Sequence, residues 1–191
     1  MKKFILVVAA IMATANLSAQ NISSNCYRGF ADVAYSIGVG DYKFGRIEVN
    51  TSQGYQFNPY FYLGAGMGFH FMSEYKTKNM DIPLDVRDSK VDIPVFANAR
   101  ANFSKGKIVP FVDLKAGVFV TNSGGLYLSP SVGIRVALNE KQAINIGVGY
   151  SYEKLQFQSF DNFISQYNMD YTRENRSLYT EAITIKAGFE F

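Results

Sequence analysis

Tryptophan is absent from this 191-residue chain, and cysteine and histidine occur once each, as Cys26 and His70. A single thiol cannot close an internal disulfide. One His with one Cys shows no metal-ligand spacing, so no metal is expected. Beyond the N-terminal segment no apolar run reaches the ~20 residues that a spanning helix needs, which excludes a helical membrane protein. An excess of charge is missing too. Nineteen Lys and Arg against 16 Asp and Glu leave a net +3, spread along the chain, which is too little to argue for a nucleic-acid partner. Gly64, Gly66 and Gly68 alternate on an extended segment and do not open a helix, so they make no phosphate loop, and no cofactor is expected.

The N-terminus, by contrast, is rich in signals. Lys2 and Lys3 precede an apolar stretch from Phe4 to Ala13 that is too short to span a bilayer, the pattern of a secretory signal. Ala13-Thr14-Ala15 fits the small-x-small cleavage rule, and Leu17-Ser18-Ala19 before Gln20 offers a second site. Cleavage after Ala19 is preferred, giving a signal peptide over 1–19 and one domain over 20–191. Cys26 lies past the cleavage region, and Ser23-Ser24-Asn25 before it is not a lipobox, so it reads as a tolerated thiol.

Eight period-2 segments follow, at about 27–39, 44–57, 60–74, 90–103, 107–121, 126–139, 142–157 and 179–191. The last is the clearest. Tyr179, Glu181, Ile183, Ile185, Ala187, Phe189 and Phe191 fall on one row, against Thr180, Ala182, Thr184, Lys186, Gly188 and Glu190 on the other. The third sets Leu63, Ala65, Met67 and Phe69 against Gly64, Gly66, Gly68 and His70. Rows this different call for two solvents, lipid outside and a polar lumen inside. Glycine on the polar row makes room in a narrow lumen for larger side chains from other strands. Tight turns at Asn58-Pro59, Ser104-Lys105-Gly106 and Asn139-Glu140-Lys141 alternate with links at 40–43, 75–89, 122–125 and 158–176, two of them long. Short inner turns and longer outer loops suit an all-β, eight-stranded, antiparallel, up-and-down transmembrane β-barrel. Pro94, Pro110 and Pro130 fall within segments and are expected at strand ends or bulges, where no ladder bond is lost.

The polar rows hold Arg46, Arg100, Lys115, Arg135 and Lys186 against Asp32, Glu48, Asp113, Glu153 and Glu190, five of each sign. Buried charge is costly unless paired, so this balance points to a lumen filled by salt bridges, with a narrow or gated pore as the alternative.

Tyr27-Arg28-Gly29-Phe30, Gly64-Ala65-Gly66-Met67-Gly68, Gly147-Val148-Gly149-Tyr150 and the closing Phe189-Glu190-Phe191 resemble the small eight-stranded outer-membrane barrels, the group of the OmpA N-terminal barrel and OmpX. More closely, they resemble the outer-membrane β-barrel domain proteins of Bacteroidetes. The resemblance implies a monomer in the bacterial outer membrane, in contact with membrane lipid and lipopolysaccharide. It also implies delivery by periplasmic chaperones and insertion by the barrel-assembly machinery. Phe189 and Phe191 resemble that machinery's C-terminal signal, although Lys186 stands where glycine is usual. Barrels that modify lipid A use His, Ser and a carboxylate near the outer rim. Here His70 and Ser73 fall on opposite rows, and no catalysis is expected. The expected role is non-enzymatic, structural or surface-interacting, through the outer loops 75–89 and 158–176. A secreted barrel of the lipocalin type, apolar inside and polar outside, is the architectural alternative.

Overall fold

The computed structural model describes residues 26–76, 84–121, 125–139, 141–165 and 168–191, with side chains at all of these except 84–85 and 159–174. The segment read as a signal peptide lies outside the described residues. Among the described residues there are eleven strands: β1 (Cys26–Val39), β2 (Gly45–Asn58), β3 (Phe61–Met72), β4 (Tyr75–Lys76), β5 (Leu84–Arg87), β6 (Lys90–Asp92), β7 (Pro94–Asn102), β8 (Ile108–Phe119), β9 (Gly125–Ala137), β10 (Ala143–Ser165) and β11 (Asn168–Glu190). Hydrogen bonding runs in the order β11, β1, β2, β3, β7, β8, β9, β10, and β10 pairs back to β11. The result is a closed antiparallel ring of eight staves. Closure removes the unpaired edge that an open sheet would present.

Local chemistry sets the turns. Asn58 Oδ1 accepts from the backbone N–H groups of Tyr60 at 2.8 Å and Phe61 at 2.9 Å, with Pro59 between. Asn139 Oδ1 accepts from Lys141 and Gln142, both at 2.8 Å. Both are Asx turns, in which the short side chain replaces a backbone acceptor. They sit at the end of the barrel that holds Cys26 and Phe191. At the opposite end, Gly40 takes a φ of 79° in the β1–β2 link, a left-handed conformation that glycine adopts without cost.

The rows point as the alternation predicts. Ile146 and Ile185 are 58% and 57% exposed, while Asp113 and Glu153 are 0% exposed. A surface of exposed Val, Ile and Leu around a charged interior is stable only with lipid outside, so this is a transmembrane barrel and the lipocalin arrangement is excluded. Barrels of this kind belong to bacterial outer membranes. Tyr27, Tyr55, Phe57, Tyr60, Phe61 and Phe103 are exposed at the turn end, and Tyr35, Tyr150 and Tyr179 toward the other. These two sets form the aromatic girdles that sit at the two membrane interfaces.

Two expectations need correction. Residues 158–165 and 168–176 are strand, not loop. β10 and β11 run 23 residues each and stay paired as far as Ser165 and Asn168. A spanning strand needs only ~9–11 residues, so this hairpin rises well past the bilayer. β5 adds to its β10 edge at Gln158–Phe160, and β4 adds to β5. Pro130 sits in mid-strand, not at an end. It pairs with Leu114 on the β8 side, but the β9–β10 ladder breaks between Leu128 and Ser131, beside the position where proline has no N–H to donate. Pro94 opens β7 after the break at Ile93, and Pro110 is the third residue of β8, both near ends as expected.

Candidate functional site

The lumen is filled from three levels. Near its middle, Lys115 Nζ on β8 donates to both oxygens of Asp32 on β1, the diametrically opposite stave, at 2.8 and 2.7 Å. Beside this tie, Asp113 accepts from Arg100 at 3.1 Å and from Lys186 at 2.9 Å, so that β7, β8 and β11 share one carboxylate. Arg100 also reaches Asn145 on β10 at 3.0 Å. Its guanidinium lies between the rings of Phe30 and Phe111, 4.2 Å from each centroid. Fork-shaped, weakly hydrated guanidinium suits such a stacked, multiply bonded position.

Toward the turn end, Glu190 accepts from Arg135 at 2.7 and 2.9 Å and from Arg28. These groups face a vestibule of about 310 Å³, lined also by Cys26, Gln56 and Val109. Toward the other end, Arg46 donates to Glu48 at 3.1 Å, to Glu153 at 2.8 Å and to Ser151. His70 stands in the same cluster, with Nε2 3.2 Å from Asn50 Oδ1. Each of the ten charged residues singled out from the sequence therefore faces inward and meets an opposite charge. The structure adds Arg28, Arg87, Asp92 and His70 to the set. Arg28 and Asp92 were legible by row parity. Arg87 was not, because it enters from the outer β5 to pair with Asp92.

Above the ionic levels the interior turns apolar. Phe44, Met72, Phe96, Phe119, Tyr127, Leu155 and Phe157 form one buried cluster, and Tyr42, Tyr75 and Leu178 pack against it. On β10 the rows exchange polarity here. Among the described side chains of β10 Glu153 is the last charge inside, then Leu155 and Phe157 point in while Lys154 and Gln156 point out. A strand that leaves the bilayer meets water on its outer face, so its apolar side chains turn inward. Lys154 marks the boundary. Its Nζ lies 5.7 Å from the Tyr179 centroid, beside the stacked Tyr152–Tyr179 pair, as a snorkelling lysine does at an interface.

Two glycines show why the polar row is small in places. A Cβ on Gly66 would stand 2.7 Å from the ring of Phe96, and one on Gly133 would stand 2.6 Å from that of Phe111. Each glycine thus makes space for an aromatic from another stave.

His70 does not meet the groups considered for catalysis. It is 0% exposed in the lumen, whereas Ser73 and Glu74 are exposed beyond the end of β3 and Glu74 pairs with Lys76. Phe191 closes the seam between β11 and β1. Its carbonyl accepts from Gly29 N–H at 2.8 Å and its N–H donates to the Gly29 carbonyl at 3.0 Å. The aromatics of the hairpin, Phe160, Phe163, Tyr167 and Tyr171, lie outside the described side chains.

No family model and no curated protein match the chain. Among solved structures it is similar to Neisserial surface protein A, at 14% identity over 88% of this chain and 98% of that one, with a TM-score of 0.49. It is also similar to a de novo designed transmembrane β-barrel, at 12% identity over 91% and 100%, with a TM-score of 0.45. A third is the outer membrane protein OprG from Pseudomonas aeruginosa, at 15% identity over 87% and 95%, with a TM-score of 0.41. At such distances the likeness concerns fold alone.

Proposed function

We propose that this chain is a non-enzymatic outer-membrane barrel that works as a rigid post, with a lumen plugged by its own salt bridges and an outer hairpin for surface interaction. The set of cross-lumen ties carries this reading, above all Lys115 to Asp32 between opposite staves and Arg46 to Glu153 between β2 and β10. Each tie occupies the path a solute would take, and the aromatic cluster lies over them at the outer end. Severing a tie leaves a charge without a partner in a narrow interior, which opposes gating. The hairpin of β10 and β11, buttressed by β5 and β4, presents paired strands beyond the bilayer where a lipopolysaccharide or another cell's surface is met. Phe189 and Phe191 serve as the signal for the barrel-assembly machinery, and the barrel acts as a monomer.

Single-channel recording in planar bilayers tests the plug. Purified protein is expected to give no stepwise openings. Regular conductance steps would replace this reading with that of a pore.

A further inference from the structure

His70 on β3 and Glu153 on β10 approach each other from opposite staves. Their nearest atoms, Nδ1 and Oε1, are 3.9 Å apart, and neither has a hydrogen-bond partner although both residues are 0% exposed. The other ring nitrogen decides the tautomer. Nε2 faces the oxygen of the Asn50 amide at 3.2 Å, and an amide oxygen only accepts, so Nε2 carries the hydrogen. On a neutral ring Nδ1 then presents a lone pair to a carboxylate oxygen in a dry interior. Two acceptors facing each other with no donor between them are unfavourable unless a positive species joins them.

The surrounding groups are fixed as if around such a species. Arg46 holds one oxygen of each carboxylate, Glu48 Oε1 at 3.1 Å and Glu153 Oε2 at 2.8 Å. The remaining oxygens turn to the imidazole, with Glu48 Oε2 3.7 Å from Nε2. Ser36 donates to Glu48 as well. One ligand atom from each of Glu48, His70 and Glu153 can be chosen so that all lie within 4.8 Å of one another. Two carboxylates against one guanidinium leave one negative charge uncompensated, while the neighbouring Arg87 and Asp92 compensate each other. Phe119 and Tyr127 pack edge-on to the imidazole at 5.7 and 5.3 Å and keep water away.

We propose that Glu48, His70 and Glu153 form a buried site for one divalent cation of borderline hardness, for which Zn²⁺ is the probe. An imidazole nitrogen and carboxylate oxygens bind Zn²⁺ at about 2.0–2.2 Å, which sets tetrahedral ligand atoms ~3.3–3.6 Å apart, so Nδ1 and Oε1 share an ion once they close by about half an ångström. Asn50, Arg46 and Ser36 supply the outer contacts that orient a ligating histidine and its carboxylates. The ion ties β2 and β3 to β10 within the outermost ionic level and accounts for both orphaned atoms. The site was invisible in the sequence because its ligands stand at 48, 70 and 153, with no local spacing.

The full chain, refolded in detergent and stripped with chelator, is titrated with Zn²⁺ against a chromophoric competitor. The expected result is one ion per chain and a higher thermal midpoint. Affinity falls at least tenfold in Glu153→Gln and in His70→Gln, and stays unchanged in the exposed control Glu74→Gln. Co²⁺ in place of Zn²⁺ gives visible absorption bands that both lumen variants lose. The heat-dependent gel shift reports folding of each variant. If Glu153→Gln does not fold, His70→Gln decides, since it leaves both carboxylates on Arg46. No bound ion, or equal binding in wild type and the folded lumen variants, overturns the proposal.

Discussion

Asp113 serves two cations from two other staves, and its removal strands both at once. Arg100 and Lys186 both depend on it, in a part of the lumen where water does not replace it. Breaking a buried pair from one side costs about 3–5 kcal/mol, whereas exchanging both partners for apolar groups of like volume is often close to neutral. Asp113→Ala is therefore expected to lower unfolding stability in urea by that amount. The double variant Asp32→Leu, Lys115→Met should lie near wild type. Equal losses in the two would mean that the ties act through packing and not through charge. Gly66 makes the complementary point about space. Gly66→Val drives a branched side chain into Phe96, and overpacking of this kind costs about 1–3 kcal/mol, read as a lower thermal midpoint. Residue roles of this sort were partly legible. Parity along each segment put all ten charged residues on the inner rows, but it did not say which would pair, because every partner but Glu48 comes from another stave. The aromatic sandwich around Arg100 had a weak sequence signal, since Phe30 and Phe111 stand on polar rows where an aromatic is out of place.

At the scale of the element, β10 carries the boundary of the bilayer within one unbroken strand. Its outer row is Ile144, Ile146, Val148 and Tyr150, then Tyr152, and then Lys154 and Gln156. Arginine on the lipid face costs about 2–4 kcal/mol at the midplane and almost nothing near the interface. Val148→Arg is expected to lose that much stability in lipid vesicles, and Gln156→Arg to lose none. A similar loss at 156 would place the membrane edge further out. The sequence hid this boundary. Alternation continues through 154–158, but the polarity of the two rows is exchanged, and a reading of period alone extends the membrane segment to Phe157. The same exchange conceals the length of β10 and β11, because the mixed composition of their outer halves reads as a loop. Turn chemistry was plainer. Asn58-Pro59 and Asn139 announce turns through side chains that bond within a few residues, so nothing distant had to be known. Pro130 was misplaced for the opposite reason: the lipid-facing stave tolerates one missing ladder bond, and no local signal reveals which side goes unpaired.

For the whole molecule, the arrangement from end to end is asymmetric. A vestibule opens at the turn end, ionic ties fill the middle, and an aromatic cluster closes the outer mouth beneath a projecting hairpin. The ring closes where Phe191 pairs with Gly29. Removal of Phe191 is expected to reduce insertion in cells severalfold, as seen by outer-membrane fractionation, while detergent refolding in vitro still succeeds. Equal insertion of the truncated chain would remove the assembly role of the terminus. Beneath these readings lies one orientation, with lipid against the apolar rows and side chains, not solvent, filling the ring. Spin labels test it directly. With Cys26 replaced by serine, single cysteines are placed at 144, 146, 148 and 150 and at 154, 156 and 158 of β10. Their collisions with oxygen and with a water-soluble nickel chelate are then compared in lipid vesicles. The first four should favour oxygen, with a maximum near 146–148, and the last three should favour the chelate. Water accessibility at 146 and 148 would contradict the orientation.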